Sequence, residues 1–113
     1  MHEIRIANDL SEIVLEVASN EKLSVVSRVN ITFGEMVQIV PEIFDFAFRE
    51  AVRGSIASEA VVNFEIIKIK LKCRECGNVF NLNGSRFACQ ECNSSDLEII
   101  AGKEMFVKSI EGE

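Results

Sequence analysis

The sequence predicts an α+β protein: a small three-stranded mixed sheet covered by two helices, with a four-cysteine zinc-ribbon or knuckle lobe inserted before the last strand. Three observations carry this. Apolar residues recur at spacings of three and four in two stretches, which is helical periodicity. They alternate in others, which is the strand pattern. All four cysteines stand late in the chain as two Cys-x-x-Cys pairs, Cys73/Cys76 and Cys89/Cys92, separated by twelve residues.

From Ile6 the apolar positions Leu10, Ile13, Val14, Val17 and Ala18 share one helical face, so helix 1 starts almost at the N-terminus and ends near Ser19-Asn20. Glu3 falls near its first turn, where a negative charge interacts favourably with the helix dipole. Leu23 to Phe33 alternates, with Val29, Ile31 and Phe33 on one face and Arg28, Asn30 and Thr32 on the other, and Gly34 breaks this first strand. Pro41 suits the first turn of helix 2, whose apolar stripe is Ile43, Phe44, Ala47, Phe48, Ala51 and Val52 and whose end falls at Gly54. Phe44, Phe46 and Phe48 read as core, and Glu35, Glu42 and Asp45 as a solvated face.

A second strand follows in which Ala60, Val62, Phe64 and Ile66 alternate in one phase and Ile67, Ile69 and Leu71 in the other. The period is two, so this strand changes face at Ile66-Ile67 before it enters Cys73. Beyond the cysteines, Leu97 and Ile99 lead to a break at Gly102, and Met105, Phe106, Val107 and Ile110 form the returning strand. Strands 1 and 2, joined through helix 2, suit a parallel crossover. The division is an α/β domain of residues 1–72 plus 94–113 and a zinc-binding lobe of residues 73–93.

The cysteine spacing sets four soft sulfur ligands at the corners of a tetrahedron, the coordination of a structural zinc ion. The two halves form a small internal repeat, Cys-Arg-Glu-Cys-Gly-Asn and Cys-Gln-Glu-Cys-Asn-Ser. Each turn needs a residue of positive φ after its second cysteine; Gly77 adopts this freely and Asn93 is the next most tolerant type. Between the knuckles the apolar residues are few, Val79, Phe80, Leu82 and Phe87. Their burial returns less than the backbone entropy lost on ordering about twenty residues, so the lobe needs its metal to fold.

The net charge of the 113-residue chain is -6, and the lobe sets only Arg74 and Arg86 against Glu75 and Glu91. This argues against a basic nucleic-acid surface. The first twenty residues carry Glu3, Arg5, Asp9, Glu12 and Glu16, so there is no secretory h-region, and no segment has the length of a membrane span. A cytoplasmic protein is expected, with thiols serving as ligands rather than disulfides.

His2 is the only histidine. A bulky second residue preserves the initiator methionine, so the chain begins Met1-His2-Glu3. The terminal amine, the His2 amide nitrogen and the imidazole can then wrap one metal ion in adjacent rings, with the Glu3 amide or carboxylate as a further ligand. Such nitrogen-rich square-planar sets suit Ni(II) or Cu(II).

With these features the chain resembles the HypA/HybF nickel metallochaperones of [NiFe]-hydrogenase maturation over nearly its whole length. The likeness rests on Met1-His2-Glu3 followed by a helix, on Cys73, Cys76, Cys89 and Cys92, and on the closing strand Gly102 to Ile110. Val29 to Glu35 and Phe46-Ala47-Phe48 also look like the family's middle region. The resemblance implies a non-catalytic carrier that takes up Ni(II) as cargo at Met1, His2 and Glu3 and holds Zn(II) structurally. It implies a HypB-like GTPase partner and delivery to the hydrogenase large-subunit precursor; some members also serve urease. Two departures stand out: Gln90 and Asn93 occupy positions where Pro and Gly are common, and no second histidine exists to complete a nickel site.

The competing class is a zinc-ribbon module for protein or nucleic acid without nickel transfer, and the charge balance disfavours its nucleic-acid form. An enzyme is not expected. No strand-Cys-x-x-Cys-helix redox arrangement is present, and a lone histidine at the terminus does not suit a Ser-His-Asp set.

Overall fold

The computed structural model describes residues 2–82, 84 and 86–113. Among the described residues, two helices, a 3-10 turn and six strands follow in the order α1 (His2–Asn20), β1 (Val26–Gly34), the 3-10 turn Glu35–Val37, α2 (Pro41–Ala51), β2 (Val61–Ile67), β3 (Lys70–Cys73), β4 (Val79–Asn81), β5 (Leu97–Ala101) and β6 (Met105–Gly112). They make two compact units. The first comprises Met1–Thr32, Ile39–Glu65 and Met105–Glu113, and the second Phe33–Gln38 and Ile66–Glu104.

The first unit contains the expected three-stranded mixed sheet under two helices. Its strand order is β2-β1-β6. Beyond the end of β6, Val25 and Glu113 exchange both backbone hydrogen bonds at 3.1 and 3.0 Å, the mark of an antiparallel pair. On the other side, the Asn63 amide donates to Asn30 Oδ1 and the Thr32 hydroxyl to Glu65 Oε1, each at 3.2 Å. These partners advance together along the two strands, so β2 runs parallel to β1. Asn30, Asn63 and Glu65 alternate with inward Val29, Ile31 and Phe64, which separates a hydrogen-bonded polar face from a core face.

That core is filled by one stripe from each helix. Ala7, Leu10, Val14 and Ala18 of α1 and Phe44, Ala47 and Phe48 of α2 are buried. Phe44 meets Phe64 of β2 edge to face with ring centroids 5.6 Å apart, a favoured aromatic geometry. Pro41 opens α2 as expected, and Val52 ends it two residues before Gly54, whose φ is 77°. The stripes are narrower than the sequence pattern: Ile13, Val17 and Ile43 are 45%, 38% and 42% exposed, and Phe46, read as core, is 70% exposed. Two helices on a three-stranded sheet offer too little facing surface to bury every apolar position of a broad stripe.

The second unit carries what the periodicity did not reveal, a separate antiparallel sheet of order β4-β3-β5. Leu71, fully buried, pairs with Phe80 on one side and Ile99 on the other. The expected change of face at Ile66-Ile67 is where the chain passes from the first unit to the second: Val62 and Phe64 are the less exposed residues before it, and Ile67, Ile69, Leu71 and Cys73 after it. Ile69 N–H does not join a ladder but donates to Glu35 Oε1 at 3.0 Å, so Glu35, exposed as expected, also ties down a backbone group. Close chain approach here demands glycine. A side chain on Gly34 would overlap the Gly102 carbonyl, and Gly102 itself sits at φ 106° against the Ile69 backbone.

Candidate metal centres

The four cysteines converge within the second unit. Cys73 ends β3, Cys76 lies in the turn that follows, and Cys89 and Cys92 belong to the second turn. The two turns repeat bond for bond. Cys73 N–H donates to the Asn78 carbonyl and Gly77 N–H to the Cys73 carbonyl, both at 2.9 Å; Cys89 N–H donates to the Ser94 carbonyl and Asn93 N–H to the Cys89 carbonyl, both at 2.8 Å. Each turn closes through one residue of positive φ, Gly77 at 79° and Asn93 at 63°. These are the two positions the sequence singled out.

The sulfurs form a tight group. Cys73 and Cys92 Sγ are 3.5 Å apart, Cys76 and Cys89 Sγ 3.6 Å, and all four lie within 4.8 Å of one another. A tetrahedron with Zn–S bonds of about 2.3 Å has sulfur–sulfur edges of about 3.8 Å. The observed cage fits that ion, with Cys73 and Cys89 buried and Cys76 and Cys92 facing solvent.

Neighbouring groups tune the thiols. The Cys92 backbone amide and, against desolvation, the Glu91 amide at 3.4 Å and the Cys76 and Cys92 side chains lower Cys89 to about 6. The Ser94 amide pulls Cys92 down, but contact with Cys73, desolvation and the sulfurs of Cys76 and Cys89 outweigh it and push Cys92 up to about 12. In Cys76 the Asn78 amide likewise lowers, while Cys89, desolvation and Cys73 raise, with a net rise. The cluster thus holds a ready thiolate at Cys89 and protons on Cys76 and Cys92, the condition of a ligand set poised to exchange protons for a metal.

The lobe's arginines are engaged locally. Arg74 donates through its backbone to the Asp96 carbonyl and through Nη1 to Asp96 Oδ1, both at 3.0 Å, which straps the first turn to the segment after the second. Arg86 bonds to the side chain of Asn93.

At the other end, Met1 and the His2 side chain, two of the three expected nickel ligands, lie outside the described residues. The backbone of His2 opens α1. Glu3 is well placed and not on the open surface: it is 8% exposed, and its Oε2 accepts the Val40 N–H at 3.2 Å. No residue pattern advertised this bond, since the donor is a backbone group of an apolar residue far along the chain.

Residues 1–112 match the family described as hydrogenase/urease nickel incorporation, metallochaperone, hypA. Among similar proteins, a hydrogenase maturation factor HypA of Dehalococcoides mccartyi (strain CBDB1) is 35% identical over 98% of this chain and 93% of its own length. The factor of the same name from Aquifex aeolicus is 31% identical over 98% of this chain and 96% of its own. The solution structure of the Ni metallochaperone HypA from Helicobacter pylori superposes with a TM-score of 0.72 at 27% identity, covering 99% of this chain and 97% of that one.

Proposed function

From the premise that this chain belongs to the HypA family of hydrogenase and urease nickel-incorporation metallochaperones, we propose that it carries Ni(II) at Met1-His2-Glu3 and delivers it to the [NiFe]-hydrogenase large-subunit precursor. Its work is transfer and not catalysis, it is cytoplasmic, and its partners are a HypB-like GTPase and the precursor, with urease maturation a second outlet. The observation that carries this reading is the family match across residues 1–112 in a chain whose first helix begins at His2.

The chemistry of that start supports it. Amides in the first turn of a helix are not needed for the helix's own hydrogen-bond ladder. A metal can therefore be taken up through the terminal amine, the His2 amide and the imidazole without unwinding α1. Deprotonated amide nitrogen offsets the charge of Ni(II), which removes the penalty for a cation at the positive end of a helix. The four cysteines stand apart from this task. Cys73, Cys76, Cys89 and Cys92 hold structural Zn(II), which staples the lobe, and no thiol is left over for the cargo.

Among the described residues no helix is long and apolar enough to cross a membrane. Delivery is tested by mixing the nickel-loaded, untagged protein with metal-free large-subunit precursor, separating the two and measuring nickel in each. Transfer faster than from an equal amount of free nickel supports the reading. Nickel that stays on the carrier, with and without the GTPase and GTP, contradicts it.

A further inference from the structure

We propose that the Glu3 side chain is a positioning residue: its carboxylate ties the first turn of α1 to the N-terminus of α2, and it stays on Val40 while nickel is bound. Glu3 then serves the metal through its backbone alone. This rests on the nickel site proposed above.

The helix α2 begins in a way that leaves it short of a cap. Val40 at the N-cap offers no side-chain acceptor and none is present there, and Pro41 follows at the first helical position. Serine, threonine, aspartate or asparagine would ordinarily answer the first-turn amides. One donor of this helix start, the N–H of Val40 itself, is answered from another helix: Glu3 Oε2 accepts it at 3.2 Å. A carboxylate at this end also complements the helix dipole.

Burial holds the carboxylate at this contact. Glu3 is only 8% exposed, and a carboxylate that deep is tolerated because a donor answers it. Swinging it onto a metal would strip the Val40 N–H of its acceptor at a helix start with no side-chain cap of its own. Left in place, the bond fixes the rotation of the first turn of α1 against α2. Preorganisation of this kind raises affinity by removing the ordering cost from the binding step.

Three substitutions separate this role from ligation, read by nickel titration of untagged protein with the visible spectrum of the bound ion. Glu3→Gln keeps an oxygen acceptor for Val40 and should bind within about threefold of the parent, whereas Glu3→Ala should lose about tenfold. Val40→Pro deletes the donor without touching the metal segment. The φ of -91° at Val40 is near the range proline adopts. It should also weaken nickel about tenfold. The spectrum should be unchanged in all three. In nickel-free protein, Glu3→Ala should speed amide exchange at Val40.

Equal loss in Glu3→Gln and Glu3→Ala with full binding by Val40→Pro would make the carboxylate a ligand and overturn the proposal. Unaltered exchange at Val40 in Glu3→Ala would overturn the tie itself. Undiminished nickel uptake by His2→Ala would instead overturn the underlying nickel reading, whatever Val40 shows.

Discussion

Gly77 and Asn93 occupy the same place in two different turns: each donates its N–H to the carbonyl of the first cysteine of its pair, and each does so at positive φ, 79° and 63°. The left-handed conformation costs an L-residue about 1–2 kcal/mol, less for asparagine and nothing for glycine. A Cβ on Gly77 would meet nothing within 4 Å, so Gly77→Ala should cost about 1–2 kcal/mol of lobe stability from backbone strain alone. Asn93→Gly should relieve strain and stabilise the lobe, less the loss of the contact with Arg86. Chelator-challenge midpoints of the zinc-loaded variants check both; a destabilised Asn93→Gly together with a neutral Gly77→Ala would reverse the expected order.

Gly34→Ala should behave differently, because there the obstacle is not φ but space. The added methyl would run into the Gly102 carbonyl, which is also the acceptor of the Met36 N–H at 2.7 Å. Relief requires moving backbone, and overpacking of this sort costs about 1–3 kcal/mol or more. Thermal unfolding should show Gly34→Ala more damaged than Gly77→Ala.

Zinc binding should release protons and weaken as the solution is acidified. With Cys92 pushed up to about 12 and Cys76 raised, both are protonated at pH 7 in the metal-free cluster, while Cys89 at about 6 is largely thiolate. The ligand form is the thiolate, so binding displaces the Cys76 and Cys92 protons. Below pH 6 the Cys89 proton must be displaced too, and the dependence on pH steepens. Calorimetry in buffers of different ionisation enthalpy reads this directly: proton release that is absent at pH 7, or that shrinks between pH 7 and 5.5, contradicts the assignment.

The phenylalanines of α2 divide sharply. Phe44 and Phe48 are buried, so replacing either by alanine should cost about 3–5 kcal/mol. Phe46, at 70% exposed, should cost within about 0.5 kcal/mol. Urea denaturation of the three variants provides the comparison, and a Phe46→Ala loss as large as that of Phe48→Ala would contradict the packing.

What could be read in advance was local. The 3.6-residue period located both helices, Pro41 the start of α2, and the paired cysteines a metal cage whose two positive-φ positions were identifiable from residue type. The switch of phase at Ile66-Ile67 was legible because a strand cannot change its buried face without a break. Phe46 was misjudged because Phe44, Phe46 and Phe48 sit close in sequence, yet only two of them lie on the side of α2 that meets the sheet. The second sheet was hidden for another reason: β4 is three residues long and half exposed, too short for alternation to register. Glu35 on Ile69 and Glu3 on Val40 were beyond reach, since in each a carboxylate finds a backbone N–H more than thirty positions away, and backbone donors leave no mark on residue choice.

Nickel and zinc counted together on untagged protein test the division of labour between the two ends of the chain. The parent should bind one zinc and take up nickel, with nickel affinity falling as pH drops through the amine and imidazole range of about 8 to 6.5. His2→Ala, or acetylation of the terminal amine, should abolish nickel uptake and leave zinc unchanged, and Cys76→Ser should loosen zinc while nickel remains. Nickel that persists in His2→Ala but disappears in Cys76→Ser would contradict the assignment and put the cargo on the cysteines.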